Sequence, residues 1–136
     1  MTVPRPDATL TYDQWLTAIC LWREARGESK RAIRAIYWVI QNRVLDSRWP
    51  RTHAEVILQP KQFSSFMAGD PNSSRFPTPS SGRDWDAYWT CVEVVQDPGT
   101  DPTGGANHYE SCPDDHEPRW AINVIHREGP FEFYKT

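Results

Sequence analysis

The order of apolar and polar positions divides the chain into a helical first third and a loop-rich remainder. Residues 11–26 are apolar on nearly every face, which is typical of a buried helix. Residues 29–46 instead place apolar side chains three and four apart, which predicts a helix with one buried face. Thr11 and Ser29 are suitable N-caps for these two helices, and Gly27 supplies the break between them.

Beyond residue 49 the pattern changes, because most of the twelve prolines and seven glycines lie there. Shorter apolar stretches between these breaks still predict regular elements. We expect a short helix over about 52–58, opened by Thr52 with Glu55, and a helix over about 83–97, opened by Ser81 with Asp84. An exposed loop at 67–82 separates these helices, and strands are predicted at 106–110, 121–126 and 131–135. The sequence therefore predicts an α+β fold.

Length and charge restrict the class of protein. The 136 residues suggest a single domain, with residues 1–10 as an extended lead-in. A net charge of −3 without a basic block argues against a nucleic-acid partner. No apolar run approaches the ~18 residues of a membrane span, and the N-terminus lacks the apolar core of a signal peptide. We expect a monomer without a cofactor, made in the cytoplasm.

Two carboxylates, Glu24 and Glu28, lie where the first helix ends. Glu28 precedes the second helix, where the helix dipole favours its negative charge. Glu24 lies in the last turn of an apolar helix, where burial and the negative end of the dipole favour a protonated carboxyl. A glutamate that holds a proton near neutral pH is what a general acid requires. The alternative is a structural ion pair with Arg23 or Arg26.

The chain also contains four short motifs in order: EARGE at 24–28, QNRV at 41–44, VILQPKQFS at 56–64 and DPTGGA at 101–106. Gly129 follows, ahead of Phe133 and Tyr134. Together these motifs resemble the SleB-type (spore-cortex-lytic) cell-wall hydrolase family over about residues 15–134. The resemblance implies a lysozyme-like, lytic-transglycosylase-like helical body with a small β-hairpin or sheet, and cleavage of peptidoglycan glycan strands.

The resemblance also implies roles for particular residues. The first glutamate of EARGE, Glu24, is the implied catalytic residue. The sequence departs from the family at Arg23, where a small residue is usual, and at the strand 107–110, where Tyr109 is retained. Trp120, which follows a loop, is a candidate ring for stacking on sugar. The candidate substrate-binding residues are Gln62, Phe63, Ser64, Thr103, Gly104, Gly105, Tyr109 and Trp120.

A single catalytic glutamate suits a lytic transglycosylase that cleaves the bond between N-acetylmuramic acid and N-acetylglucosamine, because the substrate then supplies the nucleophile. A muramidase-type hydrolase of the same bond is the alternative. The absence of wall-targeting repeats and of a signal peptide favours a phage endolysin, which would reach the periplasm through a separate pore. A bacterial wall-remodelling enzyme or a virion-borne enzyme is the alternative.

Two hypotheses from other classes stay open at this point. One is a zinc-dependent peptidoglycan amidase, because several histidines and a cysteine are spaced like metal ligands. Its candidate ligands are His53, His108, Cys112, His116 and His126. The other is a murein-binding module without catalysis, which the 12% aromatic content would allow. We expect no metal at the site.

Overall fold

The computed structural model of the protein describes residues 9–60, 62–111 and 124–136. Within these ranges the chain is an α+β domain, as predicted from the sequence. Its α-helices are α1 (Tyr12–Ala25), α2 (Lys30–Val44), α3 (His53–Ile57) and α4 (Gly82–Gln96), with short 3₁₀ helices at Ser64–Phe66 and Pro71–Ser74. Its strands are β1 (His108–Ser111), β2 (Val124–Glu128) and β3 (Phe131–Tyr134). None of the helices in these ranges is long and apolar enough to cross a membrane.

Local capping fixes the ends of the first two helices. The Thr11 hydroxyl accepts a hydrogen bond from the Gln14 N–H, and the Gln14 side chain accepts one from the Thr11 N–H. Ser29 caps α2 through the Ala32 N–H. Gly27 has a φ of +90°, a left-handed conformation that glycine adopts without strain, so α1 ends there. One cap was predicted wrongly, because Ser81 precedes α4 without making a side-chain capping bond.

Helix α1 forms the centre of the core and packs against α2, α3 and α4. Ile19, Leu21 and Trp22 are each at most 1% exposed although they point in different directions around the helix. Burial of a large apolar side chain contributes about 1.5–3 kcal/mol, so this helix carries much of the stability. Its last turn therefore has a fixed position, which matters for the side chain of Glu24.

The three strands form an antiparallel sheet in the order β1-β3-β2. Tyr109 on β1 lies opposite Phe133 on β3, and Glu110 lies opposite Glu132. The hairpin predicted at 128–130 is present, with Gly129 at a φ of +55°. Among the strands that the structure describes, β1 lies at an edge of the sheet, where it can border a groove.

Arg23 fastens the loop that follows the first 3₁₀ helix onto α1. It is 7% exposed and donates to the backbone carbonyls of Ser65, Ser73 and Arg75. Its guanidinium carbon lies 4.7 Å from the ring centroid of Phe66 and 4.8 Å from that of Phe76. A planar guanidinium can donate hydrogen bonds in its own plane while it also contacts aromatic rings. This arrangement explains the large side chain at position 23.

Candidate active site

A cavity of about 300 Å³ opens where the end of α1 meets β1 and the segment before the first 3₁₀ helix. It brings together four of the residues singled out from the sequence, although they are far apart along the chain. Its lining residues are Glu24, Arg43, Gln62, Phe63, Tyr109, Glu110, Ser111 and Phe131.

Glu24 contributes a carboxyl group to this cavity from the last turn of α1. The Tyr109 hydroxyl donates a hydrogen bond to Glu24 Oε1. Burial, and then the neighbouring Glu24 carboxylate, raise the pKa of the Tyr109 hydroxyl well above its usual value, so Tyr109 keeps its proton and acts as a donor. The hydrogen bond from Tyr109 thus engages one of the two carboxyl oxygens of Glu24.

Neither arginine beside Glu24 binds it, so the ion pair considered from the sequence is not formed. Arg23 is bound to the loop carbonyls described above. Arg26 donates to the carbonyls of Trp22 and Arg23 and to Asn72 Oδ1. Its guanidinium carbon also lies 4.4 Å from the Trp22 ring centroid. Arg26 therefore holds the C-terminal end of α1 in place.

The second carboxylate of the motif, Glu28, belongs to a different cavity. This cavity, of about 460 Å³, is larger than the one at Glu24 and is lined mainly by the α1–α2 connection and the first turns of α4. Its lining residues are Arg26, Gly27, Glu28, Ile33, Arg83, Asp84, Asp86, Ala87 and Thr90. The structure thus separates the two glutamates that the sequence places side by side.

Arg43 is a cavity residue that the sequence reasoning did not assign to the site. It is 5% exposed, and its Nε donates to the carbonyl of Asn107 at 2.7 Å. Its Nη1 donates to Gln62 Oε1 at 3.0 Å, and its Nη2 lies 3.4 Å from His108 Nδ1. Desolvation lowers the pKa of Arg43 from its usual value, yet the guanidinium stays charged at neutral pH. This buried cation joins α2 to both sides of the cavity.

The predicted substrate-binding residues near position 63 have different environments. Gln62 is exposed, and its side-chain oxygen accepts the bond from Arg43. Phe63 is 2% exposed and belongs to the core, although it is also one of the residues that line the cavity. Ser64 begins the 3₁₀ helix Ser64–Phe66, directly after these two residues. Trp120 lies outside the described residues.

Thr103, Gly104 and Gly105 do not line this cavity but form a turn around the carboxylate of Asp101. Asp101 Oδ1 accepts from the Thr103 N–H and hydroxyl, and Oδ2 accepts from the Gly105 N–H and from Asn42 Nδ2. The two glycines have φ values of +73° and +99°, which side chains other than glycine rarely adopt. The double glycine thus has a structural explanation, while contact of this turn with substrate stays a prediction.

The Asp101 turn gives a testable pH dependence. Burial alone would raise the pKa of Asp101, but the hydrogen bonds from Asn42, Thr103 and Gly105 outweigh it and lower the pKa below the usual value. A carboxyl whose pKa is lower in the folded than in the unfolded state stabilises the fold fully at any pH above its unfolded-state pKa of about 3.9. This contribution is lost as the pH falls through the lower pKa of the folded state.

We therefore expect Asp101→Asn to lower the free energy of unfolding by about 2 kcal/mol at pH 7, because an amide replaces one accepting oxygen with a donor. The deficit should shrink as the pH falls through the acid range, since wild type loses its advantage there. Urea unfolding at pH 7 and pH 3 measures both effects. Asp97→Asn, just after α4, is the control and should change little; a deficit that is unchanged at low pH would contradict this explanation.

The described histidines do not converge. His53 contacts Gln41, His108 lies against Arg43, and His126 contacts Glu128. Among the residues that the structure describes, no group of three or more His, Cys, Asp or Glu side chains could hold a metal ion. Cys112 and His116 lie outside the described residues.

The site thus consists of a carboxyl group at the end of a buried helix, held by a tyrosine beside a small sheet. A carboxyl in such a groove is the arrangement with which lysozyme-like enzymes protonate a glycosidic bond. Fold and site together define a lysozyme-like class of glycan-cleaving enzyme.

The comparisons with known proteins give the family. Residues 27–134 match the model of the family described as Cell Wall Hydrolase, so the chain belongs to that family. The fold is similar to the catalytic domain of the germination-specific lytic transglycosylase SleB from Bacillus anthracis, with a TM-score of 0.71 and 28% identity over 96% of this chain and 99% of that chain. It is also similar to the catalytic domain of the Bacillus cereus SleB protein, with a TM-score of 0.69 and 28% identity over 96% and 94%. No protein with a curated description matches the chain.

These findings confirm two predictions made from the sequence. The SleB-type family and the lysozyme-like α+β fold are both correct. The protein is accordingly a peptidoglycan lytic enzyme of the cell wall hydrolase family.

Proposed function

We propose that the protein is a lytic transglycosylase that cleaves the bond between N-acetylmuramic acid and N-acetylglucosamine in peptidoglycan, with Glu24 as its single acid–base group. The observation that carries this proposal is the carboxyl of Glu24 in a cavity, with Oε1 held by the Tyr109 hydroxyl. The lytic transglycosylase activity in the name of the similar Bacillus anthracis domain supports it.

The reaction needs one proton-transfer group when the substrate supplies its own nucleophile. Glu24 donates its proton to the glycosidic oxygen as the bond from that oxygen to C1 of the muramic acid breaks, and the glucosamine-side sugar leaves with the proton. The Glu24 carboxylate then takes the proton of the muramic C6 hydroxyl while that oxygen bonds to C1. The product is a 1,6-anhydro sugar, and Glu24 ends protonated as it began.

The other predicted site residues have supporting roles in this proposal. Tyr109 fixes one oxygen of Glu24 and so sets the direction in which the proton is delivered. Gln62 is held by Arg43 through its oxygen, which leaves its amide N–H groups to bind glycan. Phe63 supports this wall from the core. We retain Ser64, Thr103, Gly104, Gly105 and Trp120 as predicted substrate contacts.

The products of murein digestion test the proposal. We expect mass spectrometry of purified sacculi treated with the protein to show anhydromuramic ends, each one water lighter than a reducing end. Reducing muramic ends instead would establish the muramidase-type hydrolase, and reducing glucosamine ends would mean that a different bond is cleaved. Binding to sacculi without released fragments would leave a murein-binding module and overturn the enzymatic proposal.

For the biological setting we propose a phage lysin that acts as a monomer on glycan strands in the periplasm after release through a separate pore. The supporting argument is that an enzyme of a cell wall hydrolase family acts on peptidoglycan, which lies beyond the inner membrane. Expression in a Gram-negative host should then lyse cells when a pore-forming protein is co-expressed. Equal lysis without that pore would contradict the proposed route.

A further inference from the structure

We propose that the exposed rings of Tyr12, Trp15 and Phe76 form a second binding site, an aromatic platform that stacks on N-acetylated sugar units of peptidoglycan. The platform holds the enzyme on the glycan network and takes no part in bond cleavage. It goes beyond the proposed function, which concerns only the cavity at Glu24, and it rests on the action of the protein on peptidoglycan.

The three rings of the platform are exposed although they are large and apolar. Their exposed fractions are 63% for Tyr12, 36% for Trp15 and 52% for Phe76. The other exposed large apolar side chains in the described ranges carry no ring, namely those of Leu45, Leu58, Met67 and Ile125. Single exposed apolar residues are normal on a protein surface, whereas a contiguous group marks an interaction site.

The exposed rings are such a contiguous group. The centroids of Tyr12 and Trp15 lie 6.3 Å apart with 34° between the ring planes, and those of Trp15 and Phe76 lie 6.5 Å apart with 11° between the planes. Carbon atoms in direct contact are about 3.5–4 Å apart, so the nearly parallel rings of Trp15 and Phe76 are strongly offset. Part of each ring face therefore stays open to solvent, in agreement with the exposed fractions.

Arg23 fixes the position of Phe76 in this group. Its Nε donates to the carbonyl of Arg75, the residue before Phe76, at 3.1 Å. Its guanidinium carbon lies 4.8 Å from the Phe76 ring centroid. Because Arg23 is itself buried, this contact supports the ring from the protein side. The ring is thus held in place before a ligand arrives, which lowers the entropic cost of binding.

The cavity next to the platform indicates the class of ligand. It has a volume of about 200 Å³, and its lining residues are Trp15, Ile19, Phe76, Pro77, Trp85 and Tyr88. None of these is charged, so the cavity does not suit the charged groups of a peptide stem. A pyranose ring presents a face of C–H bonds that can stack on an aromatic ring, and an N-acetyl group ends in a methyl that suits a small apolar cavity. Both sugars of peptidoglycan carry this group.

The platform is separate from the catalytic cavity. Trp15 precedes Glu24 by nine residues, which is about two and a half turns, so the two side chains lie on opposite sides of α1. None of the three rings lines the cavity at Glu24. A second contact with the same insoluble network keeps the enzyme at a high effective concentration near its substrate. The platform should therefore matter for intact sacculi and not for short soluble glycans.

Co-sedimentation with purified sacculi tests the binding directly. The measurement uses Glu24→Gln as the background, so that the polymer stays intact. We expect Tyr12→Ala combined with Phe76→Ala to raise the apparent Kd for sacculi by about 10-fold or more. Tyr12→Phe combined with Phe76→Tyr keeps both rings and should stay within about 3-fold of the background. Leu58→Ala removes a side chain as exposed as Phe76 but without a ring, and it should change little.

Two further measurements separate anchoring from catalysis and identify the ligand. With Glu24 restored, the alanine pair should lower muropeptide release from sacculi by about 5-fold or more, yet leave cleavage of short soluble glycan fragments within about 2-fold of wild type. Oligosaccharides of N-acetylglucosamine should compete for the ring-dependent binding. Oligosaccharides of glucose, which lack the N-acetyl group, should not. Thermal unfolding checks that each variant is folded.

Any of four results would overturn the inference. These are an unchanged affinity for sacculi in the folded alanine pair, an equal loss in Leu58→Ala, an equal loss of activity on short soluble fragments, and equal competition by the two kinds of oligosaccharide. Ring-dependent dimers in analytical ultracentrifugation would assign the platform to a second copy of the chain instead. The sedimentation assay needs no cleavage, so a failure of the proposed function, in which wild type releases no anhydromuramic fragments, is recognised separately.

Discussion

Glu24→Gln is expected to lower kcat for glycan cleavage by about 10³-fold or more, while the protein stays folded. Glutamine has nearly the shape of glutamate, and its amide oxygen can still accept the hydrogen bond from Tyr109. The amide has no proton to give to the glycosidic oxygen and no basic oxygen to take one back, so both halves of the reaction fail. Muropeptide release from sacculi measures the loss, and thermal unfolding followed by circular dichroism checks the fold.

The matched control is Glu28→Gln. Glu28 is the other carboxylate of the motif, and it lines a separate cavity. We expect this variant to stay within about 3-fold of wild type, because general acid–base catalysis requires a group within hydrogen-bond reach of the reacting atoms. Near-normal turnover in folded Glu24→Gln, or an equally inactive Glu28→Gln, would remove Glu24 from the role of single acid–base group.

The parts of the fold that were predictable from the sequence are those fixed by local interactions. The Thr11 capping box, the Ser29 cap and the left-handed Gly27 depend on residues within three or four positions, so the ends of α1 and α2 agree with the predictions. The choice of Glu24 over Glu28 also used local information, because Glu24 lies in the last turn of an apolar helix whereas Glu28 precedes the start of the second helix. The catalytic role of Glu24 stays a prediction.

The cavity wall was harder to predict because its residues come from distant segments. Arg43 joins Asn107 and Gln62 across 64 and 19 positions of the chain. One signal was nevertheless present in the sequence. Position 43 follows Ile40 by three and Val39 by four residues, so the helical period places an arginine on the buried face of α2. A buried arginine needs partners, and it therefore indicates a polar site.

The hydrogen-bond partners of other residues could not be predicted, because a side chain can bind groups that are distant along the chain. Arg23 and Arg26 were considered as partners of Glu24, since they are its neighbours in sequence. In the structure both arginines bind a segment 42–50 residues away, which includes Ser65, Ser73 and Asn72. In the same way, the turn at 103–105 wraps the Asp101 carboxylate rather than lining the cavity. Such pairings depend on tertiary structure that sequence spacing does not reveal.

The buried contacts of Arg43 lead to the second large expected effect, that of Arg43→Lys. We expect this substitution to lower the free energy of unfolding by about 3 kcal/mol and the melting temperature by about 10 °C. A lysine keeps the charge, but its three N–H groups radiate from one nitrogen, whereas the guanidinium reaches Asn107, Gln62 and His108 from three separate nitrogens. At least one buried acceptor would lose its donor. Because Gln62 and β1 border the cavity, kcat should also fall by about 10-fold or more.

Arg48→Lys provides the control for this prediction, since both arginines face the same ring. The guanidinium carbon of Arg48 lies 4.7 Å from the Trp49 ring centroid, and that of Arg43 lies 5.6 Å from it. Arg48 is exposed and pairs with Asp46 at the surface, where solvent screening leaves such a pair little effect on stability. Thermal unfolding and activity at 25 °C should therefore separate the two variants clearly. If Arg43→Lys and Arg48→Lys were equally stable, the hydrogen bonds to both sides of the cavity would not be the reason that an arginine is needed at position 43. Stacking on Trp49 would then be the better explanation.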